Sequence, residues 1–143
     1  MADQEVSAGM KRLPDWEQRL SDLVGQRLAE PFTWGANDCV LFAADGIAAM
    51  TGIDPVADLR GQWVSRGEAV RVIARLGGLP DAVAALGLEP VAPLFAQRGD
   101  LVLHRRDGTD ALALCLGNQL AGPSDSGLLF FGLDNGVQAW RVG

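Results

Sequence analysis

Trp34-Gly35-Ala36-Asn37-Asp38-Cys39-Val40-Leu41-Phe42-Ala43-Ala44-Asp45 places a cysteine where a turn becomes an amphipathic helix. Asn37 or Asp38 can cap that helix through a side-chain oxygen, which puts Cys39 in its first turn. A thiol there faces unpaired backbone N–H groups and the positive end of the helix dipole, and both favour the thiolate. This is a nucleophile's position, and a nucleophile needs a base.

Outward from this stretch, Trp16, Leu20, Leu23, Val24 and Leu28 recur at helical spacing, Pro14 suits the first turn, and Pro31 stops the helix. In the second helix Cys39, Phe42, Ala43, Gly46, Ile47 and Met50 form one face, with small residues that allow close packing on a sheet. Gly52-Ile53-Asp54-Pro55 ends it. Ser65-Arg66-Gly67-Glu68 fits a capping box, and Ala69, Val70, Ile73 and Leu76 mark a third helix that Gly77-Gly78 terminates. A short fourth helix is predicted over residues 80–86. After a linker at 90–93 the pattern turns to β-rich runs: Leu101-Val102-Leu103-His104 and residues 111–116 flank the hairpin connection Arg106-Asp107-Gly108-Thr109. Further strands are predicted near 118–121, 128–131 and 137–142, with Ser124-Asp125-Ser126 and Asp134-Asn135-Gly136 as turns. Helices first and an antiparallel sheet second describe an α+β fold in one domain over residues 1–143, with residues 1–13 as a flexible tail.

A chain of 143 residues, 48% hydrophobic, has room for one substantial core. A net charge of -6 argues against a nucleic-acid partner. Residues 1–10 lack the basic start and apolar run of a secretory signal, and no segment has the apolar length to span a bilayer, so the expected site of synthesis is the bacterial cytoplasm. Cys39 and Cys115 are the two cysteines, and without a short-spaced Cys/His set neither a metal site nor a cofactor is expected. Cys115, inside Ala111-Leu112-Ala113-Leu114-Cys115-Leu116, reads as a buried small hydrophobe.

An aromatic-Trp-Gly turn leading into Asp-Cys at a helix start (residues 32–39), a distant Arg98-Gly99-Asp100-Leu101-Val102-Leu103 strand and a hairpin into residues 111–117 together resemble the NlpC-type papain-like cysteine peptidases. The resemblance covers roughly residues 15–121 and implies a papain-like fold with N-terminal helices packed on a C-terminal antiparallel sheet. The insert over residues 52–96 and the ending Ala139-Trp140-Arg141-Val142-Gly143 are similar to small phage or prophage proteins encoded among tail genes. In NlpC-type enzymes the cysteine attacks a peptide carbonyl of bacterial cell-wall peptides, a histidine on the second hairpin strand takes its proton, and a third polar residue holds the imidazole. Carried over, the nucleophile is Cys39, the histidine position is Ala111, and the third falls near Ala121 or Gly122. Two of the three roles are missing.

His104 is the one histidine of the chain. If the hairpin pairs Arg105 with Asp110, His104 lies opposite Ala111 and projects from the same sheet face, the geometry a relocated base requires. A slip of one residue reverses that face. The plainer reading makes His104 a polar residue where a strand meets the charged turn Arg105-Arg106-Asp107, and this is the favoured one. Trp34 lines a cleft beside Cys39 or plugs the core. Asp38 lines the same cleft, opposes thiolate formation by its charge, and is accounted for by capping. Asp45 is expected as a solvated or backbone-bonding carboxylate. Arg60 and Trp63 form a docking patch or a stacked pair closing the domain, and burial is expected for Trp140.

The expectation is therefore a phage tail tip or baseplate component, a structural or interaction module with reduced or absent peptidase activity. Its partners would be other tail proteins and its final location the virion tail. The alternative is an active hydrolase of cell-wall peptides during phage entry, with Cys39 as nucleophile and His104 as base.

Overall fold

The computed structural model describes residues 10–143. Among these residues there are four helices, α1 (Trp16–Arg27), α2 (Cys39–Thr51), α3 (Arg66–Arg75) and α4 (Leu79–Ala84), and the strands β1 (Glu89–Val91), β2 (Leu101–Arg106), β3 (Thr109–Cys115), β4 (Leu120–Ser124), β5 (Gly127–Phe131) and β6 (Gly136–Arg141). The strands form one antiparallel sheet in the order β1-β6-β2-β3-β4-β5, so the molecule is α+β as expected.

Helix α2 forms because its two ends are fastened and its sides are apolar. Asp38 Oδ1 accepts from the Leu41 N–H at 2.9 Å, and Gly52, at φ 78°, closes the other end with its N–H on the Ala48 carbonyl. Its inner face carries Phe42, Ala43, Ile47 and Met50, all at most 1% exposed. At Gly46 a Cβ would run into the Leu114 side chain, so the helix lies against β3 as closely as a glycine permits. This packing decides the two faces of the sheet. Leu101, Leu103, Leu112, Leu114 and Trp140 share a core with α1 and α2, whereas Val102, Ala113, Cys115, Leu120 and Ala139 form a second cluster on the other face, beside the turns Pro93–Phe95 and Leu133–Asn135.

The β2–β3 hairpin adopts the expected register, with Arg105 opposite Asp110 and His104 opposite Ala111. Asp107 and Gly108 both have positive φ, 52° and 76°, as a tight two-residue turn of this hand demands. Strand β1 was not anticipated: it occupies the segment expected as a linker, where Pro90 speaks against a strand, and it survives because, among the described residues, it pairs with β6 alone and lies at the edge of the sheet.

Three other expectations are corrected. Helix α3 has its capping-box start, Ser65 Oγ accepting from the Glu68 N–H at 3.2 Å, but buries Ala69 and Val72 against Trp63 and Leu41 and leaves Val70 57% exposed. Residues 10–13 of the expected tail are tied down: Met10 is in the core, the Leu13 N–H donates to the Met50 carbonyl, and Arg12 donates to Val142 O (2.6 Å), Arg98 O (2.9 Å) and the buried Asp100 Oδ1 (3.0 Å). Residues 1–9 of that tail lie outside the described residues. Asp45 is not a solvated carboxylate but the centre of an ion-pair chain, taking Arg27 Nη2 at 2.5 Å and an Arg60 Nη2 at 2.6 Å.

Candidate functional site

The turn before Cys39 is built by two buried polar side chains. Asn37 donates to the carbonyls of Glu30 and Pro31 and accepts from Arg27 Nη1 at 2.8 Å, which fixes the loop on α1. Asp38 is the cap. Besides Leu41 N, its carboxylate accepts from Gly35 N at 2.9 Å and from Trp63 Nε1 at 2.7 Å. Gly35 sits at φ 80°, and a Cβ there would collide with the Trp63 carbonyl, so turn and indole fit only around a glycine. With three donors on it, the Asp38 carboxylate is the hub of this turn, and the residue also lines the cleft beside Cys39. Neither a docking patch nor an Arg stack describes the other pair: Trp63 is 2% exposed on Asp38, and Arg60 bridges Asp45 and Asp54.

Cys39 follows at the first position of α2, beside a cleft of about 310 Å³. The cleft is lined mainly by apolar side chains, among them Trp34, Trp63, Val70 and Ile73, with Arg66, Thr109 and Asp110 as its other polar members. Trp34 is half-buried, edge-on to Phe32 with centroids 4.7 Å apart; it lines this cleft and also packs against the cluster of Leu41, Trp63, Ala69 and Val72. Although Cys39 is only half-buried as a residue, its sulfur lies against the core, and burial above all, with the Asp38 charge adding, pushes the thiol up from 9.0 to about 11. Backbone N–H groups of Leu112, Val40 and Cys39 act the other way and are outweighed. At pH 7 roughly one thiol in ten thousand is ionised. The helix start does not make Cys39 a thiolate.

The structure does not bring Cys39 and His104 together. His104 keeps the predicted register, but its face is that of Val102 and Ala113, away from α2. Its ring stands edge-on to Phe131 with centroids 4.7 Å apart, and its buried Nδ1 has no hydrogen-bond partner. Burial, aided by Arg106, lowers its pKa from 6.5 against the pull of Asp110, so it is neutral at pH 7. The hairpin residues that reach the cleft are Thr109 and Asp110, and Arg105 Nε holds Asp110 Oδ1 at 2.7 Å.

Three cleft residues were missed by the sequence reasoning: Asp110, Arg66 and the Trp63 indole. The signal for Asp110 lay in side-chain size. Both faces of Leu101-Val102-Leu103-His104 and Ala111-Leu112-Ala113-Leu114 are apolar, so alternation alone names no inner face; the leucines, being bulkier, mark it. Nothing local marks Trp63, whose partner lies 25 residues away.

As it stands the cleft can hold an apolar group non-covalently, beside a protonated thiol and Arg66, whose guanidinium has no partner among the described residues. Among the described residues no group of three or more His, Cys, Asp or Glu could hold a metal ion, and no helix is long and apolar enough to cross a membrane. No curated protein matches the chain. Residues 11–142 match the family described as a domain of unknown function (DUF6950), which takes in every described helix and strand, and the chain belongs to that family.

Proposed function

We propose that this chain is an NlpC-like module that has kept the papain-type placement of a cysteine at a helix start over an antiparallel sheet, and that it holds a partner rather than cleaving one. The observation that supports this reading is the separation of Cys39 from His104 by the sheet, together with a thiol pushed to about 11. General-base help is worth roughly two to four orders of magnitude, and a protonated thiol without an imidazole forgoes it. The resemblance of residues 52–96 and 139–143 to proteins encoded among tail genes makes a phage tail tip or baseplate the assembly in which we place it, with neighbouring tail proteins as partners.

Incubation of the purified protein with cell-wall stem peptides, followed by mass spectrometry, tests the first half; no product is expected, and cleavage that disappears in Cys39→Ser would overturn it. Quantitative mass spectrometry of purified tails tests the second: the chain is expected at a fixed ratio to the tail proteins, and its absence from tails refutes the placement. One observation favours the alternative, an active hydrolase of cell-wall peptides: Asp110 lines the cleft of Cys39 and is the carboxylate there with an open side. One oxygen of that carboxylate is already taken by Arg105 Nε at 2.7 Å.

A further inference from the structure

A larger hollow, about 430 Å³, lies not at Cys39 but between α2, α3, α4 and the strap of residues 54–59. Val40, Ile73 and Leu79 form the wall it shares with the Cys39 cleft. Five of its lining residues are alanines, Ala43, Ala44, Ala57, Ala82 and Ala85, and longer side chains at these places would fill it. Protein interiors are otherwise packed as densely as organic crystals, and small-molecule sites begin at about 300 Å³. The strap is fastened from outside. Arg60 Nε donates to Asp54 Oδ2 and Arg60 Nη2 to Asp45 Oδ1, both at 2.6 Å, so the strap is held along one side of the hollow without filling it.

Its charges select the occupant. Among the described residues Asp54 and Asp58 are the only charged ones lining the hollow, and none of those lining it is a cation. Asp54 is taken up by Arg60 and by the Val56 N–H at 3.1 Å, whereas the Asp58 carboxylate has no partner among the described residues. An anion would meet uncompensated negative charge, and a strongly hydrated cation would leave water for an apolar wall. We propose that the hollow is a binding site for an uncharged, predominantly hydrocarbon ligand, with the 54–59 strap as its cover and Arg60 as the clasp. This site is independent of what Cys39 does.

The test is a fluorescence titration of the whole chain with neutral N-phenyl-1-naphthylamine and, in parallel, with its anionic relative 1-anilinonaphthalene-8-sulfonate. One saturable site for the neutral probe is expected, binding about tenfold more tightly than the sulfonate. Ala82→Phe, which fills the hollow, should weaken the neutral probe about tenfold or more, and Val70→Phe, which fills the Cys39 cleft, should leave it unchanged. Circular dichroism checks that each variant is folded; should Ala82→Phe unfold, Ala82→Leu gives the same reading in smaller measure. Absence of saturable binding, equal affinity for the sulfonate, or loss in Val70→Phe but not in the Ala82 variants overturns the proposal.

Discussion

Trp63 Nε1 donates to Asp38 Oδ2 across 2.7 Å, with both residues at most 2% exposed, so one carboxylate holds the helix start, the Gly35 turn and the segment entering α3. The bond turns the residue before Cys39 from a neighbour of the chemistry into the peg on which three pieces of backbone hang.

Removing one donor from a buried carboxylate costs about 1.5–3 kcal/mol, and removing the carboxylate also takes the cap. Trp63→Phe should therefore lower unfolding stability by about 2 kcal/mol and Asp38→Ala by about 3 or more. Urea denaturation followed by far-UV circular dichroism measures both. A loss below about 0.5 kcal/mol in Asp38→Ala would show that the carboxylate is not the peg.

Alkylation of Cys39 by iodoacetamide in the native protein should be slow at neutral pH and rise with a midpoint at about 11. The folded pKa lies above the ordinary 9.0, so folding favours the protonated thiol. Its contribution to stability is complete below pH 9 and is lost as the pH rises from 9 to about 11. Mass spectrometry resolves Cys39 from Cys115 in the same samples. A native midpoint below 9 contradicts the assigned cause.

Placing an imidazole on either side of the hairpin checks which face meets the cleft. Asp110→His puts it beside Cys39 and removes a negative charge, and alkylation at pH 7 should quicken about tenfold. Ala111→His puts it on the far face and should change nothing. The reverse pattern would mean that the sheet presents its other side to α2.

His104 is held neutral below its ordinary pKa of 6.5, so folding favours the uncharged ring. Its contribution is present above pH 6.5 and lost as the pH falls through the lowered folded value, because the unfolded chain takes up the proton first. His104→Leu should flatten this acid limb, and, with the unpartnered Nδ1 gone, it should not weaken the protein at pH 7.5. Urea midpoints at pH 5 and 7.5 decide the matter; an acid limb as steep in His104→Leu as in the parent assigns it to other groups.

Arg12→Ala leaves the fully buried Asp100 with the N–H groups of Gln97 and Val142 and a distant Arg141, and strips the cation from the face of Trp16, 4.2 Å away. Losing one partner of such a pair costs about 3–5 kcal/mol. Thermal unfolding should show a large drop in midpoint, and a shift of one or two degrees would mean that water or Arg141 replaces the guanidinium.

What the sequence discloses follows the range of the forces. Asp38, Gly52 and Ser65 act within one helical turn, and the helix starts and stops they dictate are where the residues place them. The hairpin register follows from the two-residue turn at Asp107-Gly108. The long-range contacts were not legible: Pro90 in β1, Trp63 on Asp38, and Arg12 on Asp100 each join segments whose own composition is silent about the partner. The reading of His104 fell between the two. Register is local and was right, whereas the choice of inner face depends on α2 and was not decided by an apolar pattern on both sides.

Strand β6 lies between β1 and β2, carries Trp140 into the helix-side core, and leads to Val142, the acceptor of Arg12. On the ribosome it emerges after every other strand of the sheet. Until then β1 has no strand neighbour among the described residues, β2 is an open edge and Arg12 has only Arg98 and Asp100 of its three partners, so the nascent chain carries its helices and its hairpin without a closed core. Closure of the sheet thus waits for β6, and a product that stalls before it would expose an unpaired strand edge to other chains.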